Sequence, residues 1–198
     1  MKEEQHVSTN AKRGDALHDI APPTSSPVSP ARKRQPQGTN SRRQLPIPAD
    51  FSDLGRAALR YAARGWSVFP LVPGQKNPLT SHGFHDASRN LDRIVQWWTE
   101  TPAANIGVPV PVGFIVIDAD LYKPGAREDL IRLEEQCGPL PAGPTVRTAR
   151  GGLQFWLRCS AGDYRAKAGP TIDIRAGGKH YVVAPPSVFE GGRYEWIA

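Results

Sequence analysis

Apolar positions along the chain follow two regimes. From Phe51 to about Thr99 they recur at helical spacing. Leu54, Ala57, Ala58 and Tyr61 share one face of a helix predicted over 53–64, which Asp53 can cap and Gly65 can stop. Ile94, Val95, Trp97 and Trp98 line one face of a second helix over 92–99. Between the two, 66–69 reads as a short strand, and 70–83 reads as a loop punctuated by Pro73, Gly74 and Pro78 that carries Lys76. After Gly113 the pattern changes. Phe114, Ile115, Val116 and Ile117 form an unbroken apolar run, as expected of a strand covered on both faces, and the run ends in Asp118 and Asp120. Leu130, Ile131 and Leu133 set a helical period over 126–136, closed by Gly138 and Pro139. The segments 145–148, 153–158, 172–175, 181–184 and 193–197 read as strands, separated by Gly-Gly pairs and by Pro185-Pro186. Helices early and hairpin-like strands late predict an α+β domain with a mixed or antiparallel sheet.

Residues 1–50 show neither period. They are rich in Pro, Ser, Thr, Gln and charge, with basic clusters at Arg32, Lys33, Arg34 and at Arg42, Arg43. Such a segment buries too little apolar surface to offset its ordering entropy, so a disordered tail is expected over 1–50 and a folded domain over 51–198. All five Trp lie after Phe51. Lys2 is followed by Glu3, Glu4 and Gln5 rather than by an apolar run, which argues against a secretory signal. No stretch approaches the roughly 20 apolar residues that cross a bilayer. The expectation is therefore a cytoplasmic protein with no membrane partner.

Cys137 and Cys159 are the only cysteines and lack zinc-finger spacing, so neither a disulfide framework nor a structural zinc is expected. The net charge of +6 is shared between the tail, with eight basic against five acidic residues, and the rest of the chain. This balance suits a polyanionic partner without requiring one.

The strand end at 116–120 carries the chemistry. Residues two apart on a strand point to one side, so Asp118 and Asp120 present two carboxylates together. Adjacent like charges beside an apolar strand are costly unless a cation lies between them, and Mg²⁺ or Mn²⁺ suits all-oxygen ligands shared with phosphates. Solvated turn residues would account for the pair equally well. Asp173, flanked by Ile172 and Ile174, offers a third carboxylate, with Arg175 on the same side. Lys76, Arg147, Arg150, Arg175 and Lys179 are the cations available for a triphosphate. Gly151-Gly152 and Gly177-Gly178 each come within two residues after an Arg and read as hairpin turns, or as places where backbone can approach a phosphate.

Several segments in order resemble the bifunctional DNA primase/polymerase domain of the archaeo-eukaryotic primase superfamily, found in replication proteins of plasmids and phages. They run from Ala63-Arg64-Gly65-Trp66-Ser67-Val68-Phe69-Pro70 through Lys76-Asn77-Pro78, Gly83-Phe84, Trp97-Trp98 and Ala104-Asn105-Ile106-Gly107. They continue with Ile117-Asp118-Ala119-Asp120, Thr148-Ala149-Arg150-Gly151-Gly152, Asp173-Ile174-Arg175 and Tyr181-Val182-Val183-Ala184-Pro185-Pro186-Ser187. The resemblance implies a small α/β unit packed on an RNA-recognition-motif-like unit with the active site between them. It implies two-metal nucleotidyl transfer that makes and extends primers from NTP or dNTP on a single-stranded DNA template. It assigns Asp118, Asp120 and Asp173 as catalytic metal ligands for Mg²⁺ or Mn²⁺, and Lys76, Asn105, Arg150, Gln154, Arg175 and His180 as nucleotide-binding positions.

Gln154 departs from the pattern, because the family places a phosphate-contacting His there. A neutral amide donates a hydrogen bond but carries no charge, which implies weaker triphosphate binding; His180 is a candidate substitute donor. The same departure supports a second reading, a degenerate domain that binds nucleotide or single-stranded nucleic acid without turnover. A third reading makes the basic tail a recruitment segment. Because the chain ends at Ala198, a separate or missing helicase is expected to accompany it.

Overall fold

The computed structural model describes residues 46–160 and 162–198; the tail expected over 1–50 lies, except for its last five residues, outside the described residues. Helix α1 (Asp53–Ala63) begins one residue earlier in its capping than the sequence implies. Ser52, not Asp53, is the N-cap, and its hydroxyl accepts from the Gly55 amide at 3.1 Å, while Asp53 supplies first-turn negative charge. Arg56 ties the entry segment down by donating to the carbonyls of Phe51 and Ala49. Helix α2 (Leu91–Glu100) is capped by Asn90. Its Trp98 is fully buried with the indole N–H donating to the Ala104 carbonyl at 2.9 Å. Helix α3 (Ala126–Cys137) follows its predicted span closely.

The expected strand at 66–69 is displaced. Trp66 enters the core, Val68 makes only a single bridge to Ser88, and strand β1 is Phe69–Leu71. Strand β2 (Asn105–Pro109) was not predicted, since Asn, Gly and Pro weaken the β signal. Gly107 is there for a packing reason: a Cβ at that position would sit 2.4 Å from the Phe69 ring. Strands β3 (Phe114–Ala119), β4 (Thr145–Arg147), β5 (Leu153–Arg158), β7 (Ile172–Ala176) and β8 (Tyr181–Ala184) lie where the pattern puts them. A 3-10 turn at Gly83–Asp86 and the short strands β6 (Lys167–Gly169) and β9 (Val188–Phe189) are additional, and the last predicted strand is split into β10 (Gly192–Arg193) and β11 (Glu195–Trp196).

Every strand pair among the described residues is antiparallel. A three-stranded sheet ordered β1-β2-β8 carries α1 and α2, and a six-stranded sheet ordered β11-β4-β5-β3-β7-β6 carries α3. Strand β3 is covered on both faces, as expected. Phe114 and Val116, with Trp156 and Val146, join the main core beneath α1 and α2. Ile117 and Ala119, with Ile172, pack against Leu133 of α3. The α+β class is thus established, with antiparallel sheets rather than a mixed one. No helix among the described residues is long and apolar enough to cross a membrane.

Candidate active site

Strand alternation and antiparallel register bring the predicted acidic residues together. Asp118 lies directly opposite Gln154 on β5 and opposite Asp173 on β7, so the three side chains share one side of the six-stranded sheet. Asp120 follows two residues along on the same side, its amide donating to the Thr171 carbonyl at 3.0 Å. The five-residue connection 148–152 folds against this strand end, with Thr148 N–H donating to the Gly152 carbonyl at 2.8 Å. Gly152 is required here because a Cβ would come within 2.7 Å of the Ala119 carbonyl oxygen. The Gly-Gly pair is therefore a turn whose close approach supports the carboxylates.

Of these groups, Asp118 and Gln154 line a cleft of about 250 Å³ between the two sheets, and Asp173 lies beside it on β7. Asp118, Gln154, Arg175 and Tyr194 come from the six-stranded sheet and its hairpin; Tyr181, Val182 and Val183 of β8 and the loop residues Lys76 and Phe84 come from the other side. Lys179 and His180, on the turn that links β7 to β8, complete it. A smaller adjoining recess is lined by Lys76, Asp118, Asp120, Tyr122, Thr148, Arg150 and Tyr194.

The electrostatics are uneven. Asp118 keeps some water contact at the cleft floor but is enclosed enough that desolvation raises its pKa to about 6; Asp120 and Asp173 push in the same direction, and Arg175 and Lys76 oppose them. The other two carboxylates have internal partners. Lys123 contacts Asp120 at 2.6 Å, while Arg175 and Lys167 contact Asp173 at 2.7 and 3.1 Å. With those ion pairs in place, no three acidic, His or Cys side chains among the described residues converge closely enough to hold a metal ion. The donor chemistry nevertheless fits a hard divalent cation. The donors are all carboxylate oxygens, one of them is destabilised by burial among like charges, and each competing partner is a solvent-reachable side chain.

Of the predicted nucleotide-binding positions, Lys76, Gln154, Arg175 and His180 line the main cleft, and Arg150 lines the recess. Arg150 stacks 4.1 Å from the Tyr122 ring centroid and reaches Glu190 at 3.4 Å. The Ala176 amide donates to His180 Nδ1 at 3.1 Å; a neutral ring that accepts this bond carries its proton on Nε2. Gln154 is buried, and its Oε1 has no hydrogen-bond partner. Asn105 stands apart: it is fully buried on β2, and its amide is engaged by the backbone of Gln75 and Val188. Of the further cations, Lys179 lies in the cleft, whereas Arg147 pairs with Glu195 on the outer strands.

Sequence reasoning missed Tyr122 and Tyr194. Tyr194 is buried and lines both cavities; burial, reinforced by Asp118, holds its phenol protonated well above the usual range. Its only sequence signal is an aromatic between Arg193 and Glu195, where alternation turns it away from two charged neighbours.

The sequence model for the bifunctional DNA primase/polymerase N-terminal family matches residues 58–198. The match contains the whole of the cleft described above. No curated protein matches the chain.

Proposed function

Because this chain belongs to the bifunctional DNA primase/polymerase N-terminal family, we propose that residues 51–198 form a catalytic domain that makes and extends primers on single-stranded DNA. The family carries the coarser statement, a primase/polymerase-type nucleotidyl transfer. The finer reading rests on one observation: Asp118 and Asp173 lie side by side across β3 and β7, and Asp118 lines a cleft whose other lining residues include Lys76, Arg175 and His180. The two-sheet arrangement, with the cleft between them, is what a small α/β unit packed on an RNA-recognition-motif-like unit would present.

In this reading Asp118, Asp120 and Asp173 hold Mg²⁺ or Mn²⁺. Such ions supply activation of the primer 3′-hydroxyl and neutralisation of the triphosphate. The chain's own residues do the rest. Lys76, Arg175 and the Nε2–H of His180 bind phosphate oxygens, with Arg175 suited to a bidentate contact. Lys123, Lys167 and Arg175 balance the carboxylates before substrate arrives. Tyr194, held neutral, lines both cavities beside Asp118. Arg150, stacked on Tyr122, flanks the recess where the primer end approaches. The product is a new bond from the 3′-oxygen to the α-phosphorus, with pyrophosphate released. A role in replication of a plasmid or phage, in the cytoplasm and beside a separate helicase, is consistent with this assignment.

Primer extension and de novo synthesis on a single-stranded template with Mn²⁺ or Mg²⁺ test it, comparing the native chain with Asp118→Ala/Asp120→Ala. Product from the native chain alone is expected. A second reading, nucleotide binding without turnover, is favoured by the neutral, buried Gln154. Tight manganese-dependent nucleotide binding with no product under any metal would select it.

A further inference from the structure

Lys76 lines both cavities yet sits in an exposed loop, where a lysine ordinarily samples many positions. Here the backbone beneath it is held at three successive carbonyls. Asn105 Nδ2 donates to Gln75 O at 2.9 Å, Tyr181 Oη donates to Lys76 O at 3.0 Å, and the Val72 amide donates to Asn77 O at 2.8 Å. The ammonium rests 4.4 Å from the centroid of the Phe189 ring. Asn105 also fixes that ring's strand, donating to Val188 O at 2.6 Å and accepting from Val188 N at 2.9 Å. One fully buried amide therefore fastens both the loop that carries the cation and the strand that supports it.

We propose that Asn105, Tyr181 and Phe189 form a cradle that pre-positions the Lys76 ammonium for the triphosphate of the incoming nucleotide. Asn105 is thus a positioning residue that acts through Lys76 and does not touch the nucleotide. The inference rests on the functional reading above and adds to it. The physical gain is that the loop and cation are ordered before binding, so less freedom is lost when the anion arrives. A fully buried Asn with every contact directed to backbone on either side of a single lysine is what such a device requires; an Asn that served only the sheet would have no reason to reach Gln75.

Tyr181→Phe and Phe189→Leu test the cradle with small changes, and Asn105→Ala tests its centre. Each is made alone and in a Lys76→Ala background, with folding checked by thermal midpoint. The readouts are equilibrium binding of ATP and dATP in Mn²⁺, and KM against kcat in primer extension. Each single change is expected to weaken nucleotide binding or raise KM about 3- to 10-fold with kcat within about twofold, and to cost nothing further once Lys76 is Ala. Effects that are additive in the Lys76→Ala background, or affinities unchanged in the Tyr181→Phe and Phe189→Leu proteins, would overturn the cradle while leaving the site assignment standing. Absence of nucleotide binding by the native chain would instead overturn the functional reading, and the cradle's ligand with it.

Discussion

Replacing Asp118 by Asn should stabilise the metal-free protein while destroying its proposed chemistry. Desolvation, aided by Asp120 and Asp173 and opposed by Arg175 and Lys76, moves the Asp118 carboxyl from 3.8 to about 6. At 1.36 kcal/mol per pH unit, holding this group ionised at neutral pH costs about 3 kcal/mol, and residual water contact at the cleft floor reduces that to about 2 kcal/mol. The folded-state value lies above the unfolded one. The group's favourable contribution is therefore complete below the unfolded value and is lost as pH rises through about 6. Asn mimics the protonated acid at every pH. In EDTA at pH 7.5 the variant's thermal midpoint should exceed the native one by roughly 4–8 °C, for a domain of this size. The gap should shrink to about half at pH 5, where most of the native Asp118 is protonated. Saturating Mn²⁺ should raise the native midpoint by mass action and the variant's much less. A variant equally or less stable at pH 7.5 in EDTA, or a gap of the same size at both pH values, would refute the claim that Asp118 is an electrostatically strained carboxylate held for a cation.

Gln154→His should tighten triphosphate binding about tenfold near pH 6, since a hydrogen bond to a charged group contributes about 1.5–3 kcal/mol, with the gain fading as the imidazole deprotonates; titrations of ATP at pH 6 and pH 8 check it. Gln154→Leu, which removes a buried acceptor that has no partner, should cost no stability in thermal or denaturant unfolding. Asp129 of α3 accepts from the Thr171 hydroxyl at 2.7 Å and from its amide at 3.1 Å, and the hydroxyl contact chiefly holds its carboxyl below the usual range. Its stabilisation is present above the unfolded value and is lost as the pH falls through the folded one, so native stability should drop on acidification below about pH 4. Asp129→Ala should lower the midpoint at pH 7 and flatten that part of the profile in thermal scans between pH 3 and pH 7. Gly152→Ala places a methyl 2.7 Å from the Ala119 carbonyl oxygen. It should destabilise by about 1–3 kcal/mol and displace the strand end bearing Asp118 and Asp120, measured as lower denaturant midpoints and weaker Mn²⁺ binding.

What the sequence determined by itself is local and periodic. The apolar faces of α1, α2 and α3, the doubly covered β3 and the alternating late strands follow from patterns that any packing partner would satisfy. Two carboxylates at Asp118 and Asp120 on one side of a strand follow from the pleat alone. Strands such as β2 escaped because Asn105, Gly107 and Pro109 are poor strand formers. They are held there by the Phe69 ring, the pairing with β1 and β8, and the backbone groups that Asn105 engages. The partner of Asp118 across the ladder could not be read from spacing, since Asp173 and Gln154 reach it only through the register of β7 and β5. The same holds for Asn105. As a polar residue in a recognisable segment it resembled a nucleotide contact, and burial instead turned its amide toward the loop beside Lys76. Tyr194 needed two cavities to acquire a meaning, because only tertiary structure decides whether an aromatic between charged residues covers core, faces water or walls a cleft. Side-chain periodicity is a property of the chain; burial, register and the convergence of distant loops depend on which surfaces are excluded from water, and that is settled when the two sheets pack together.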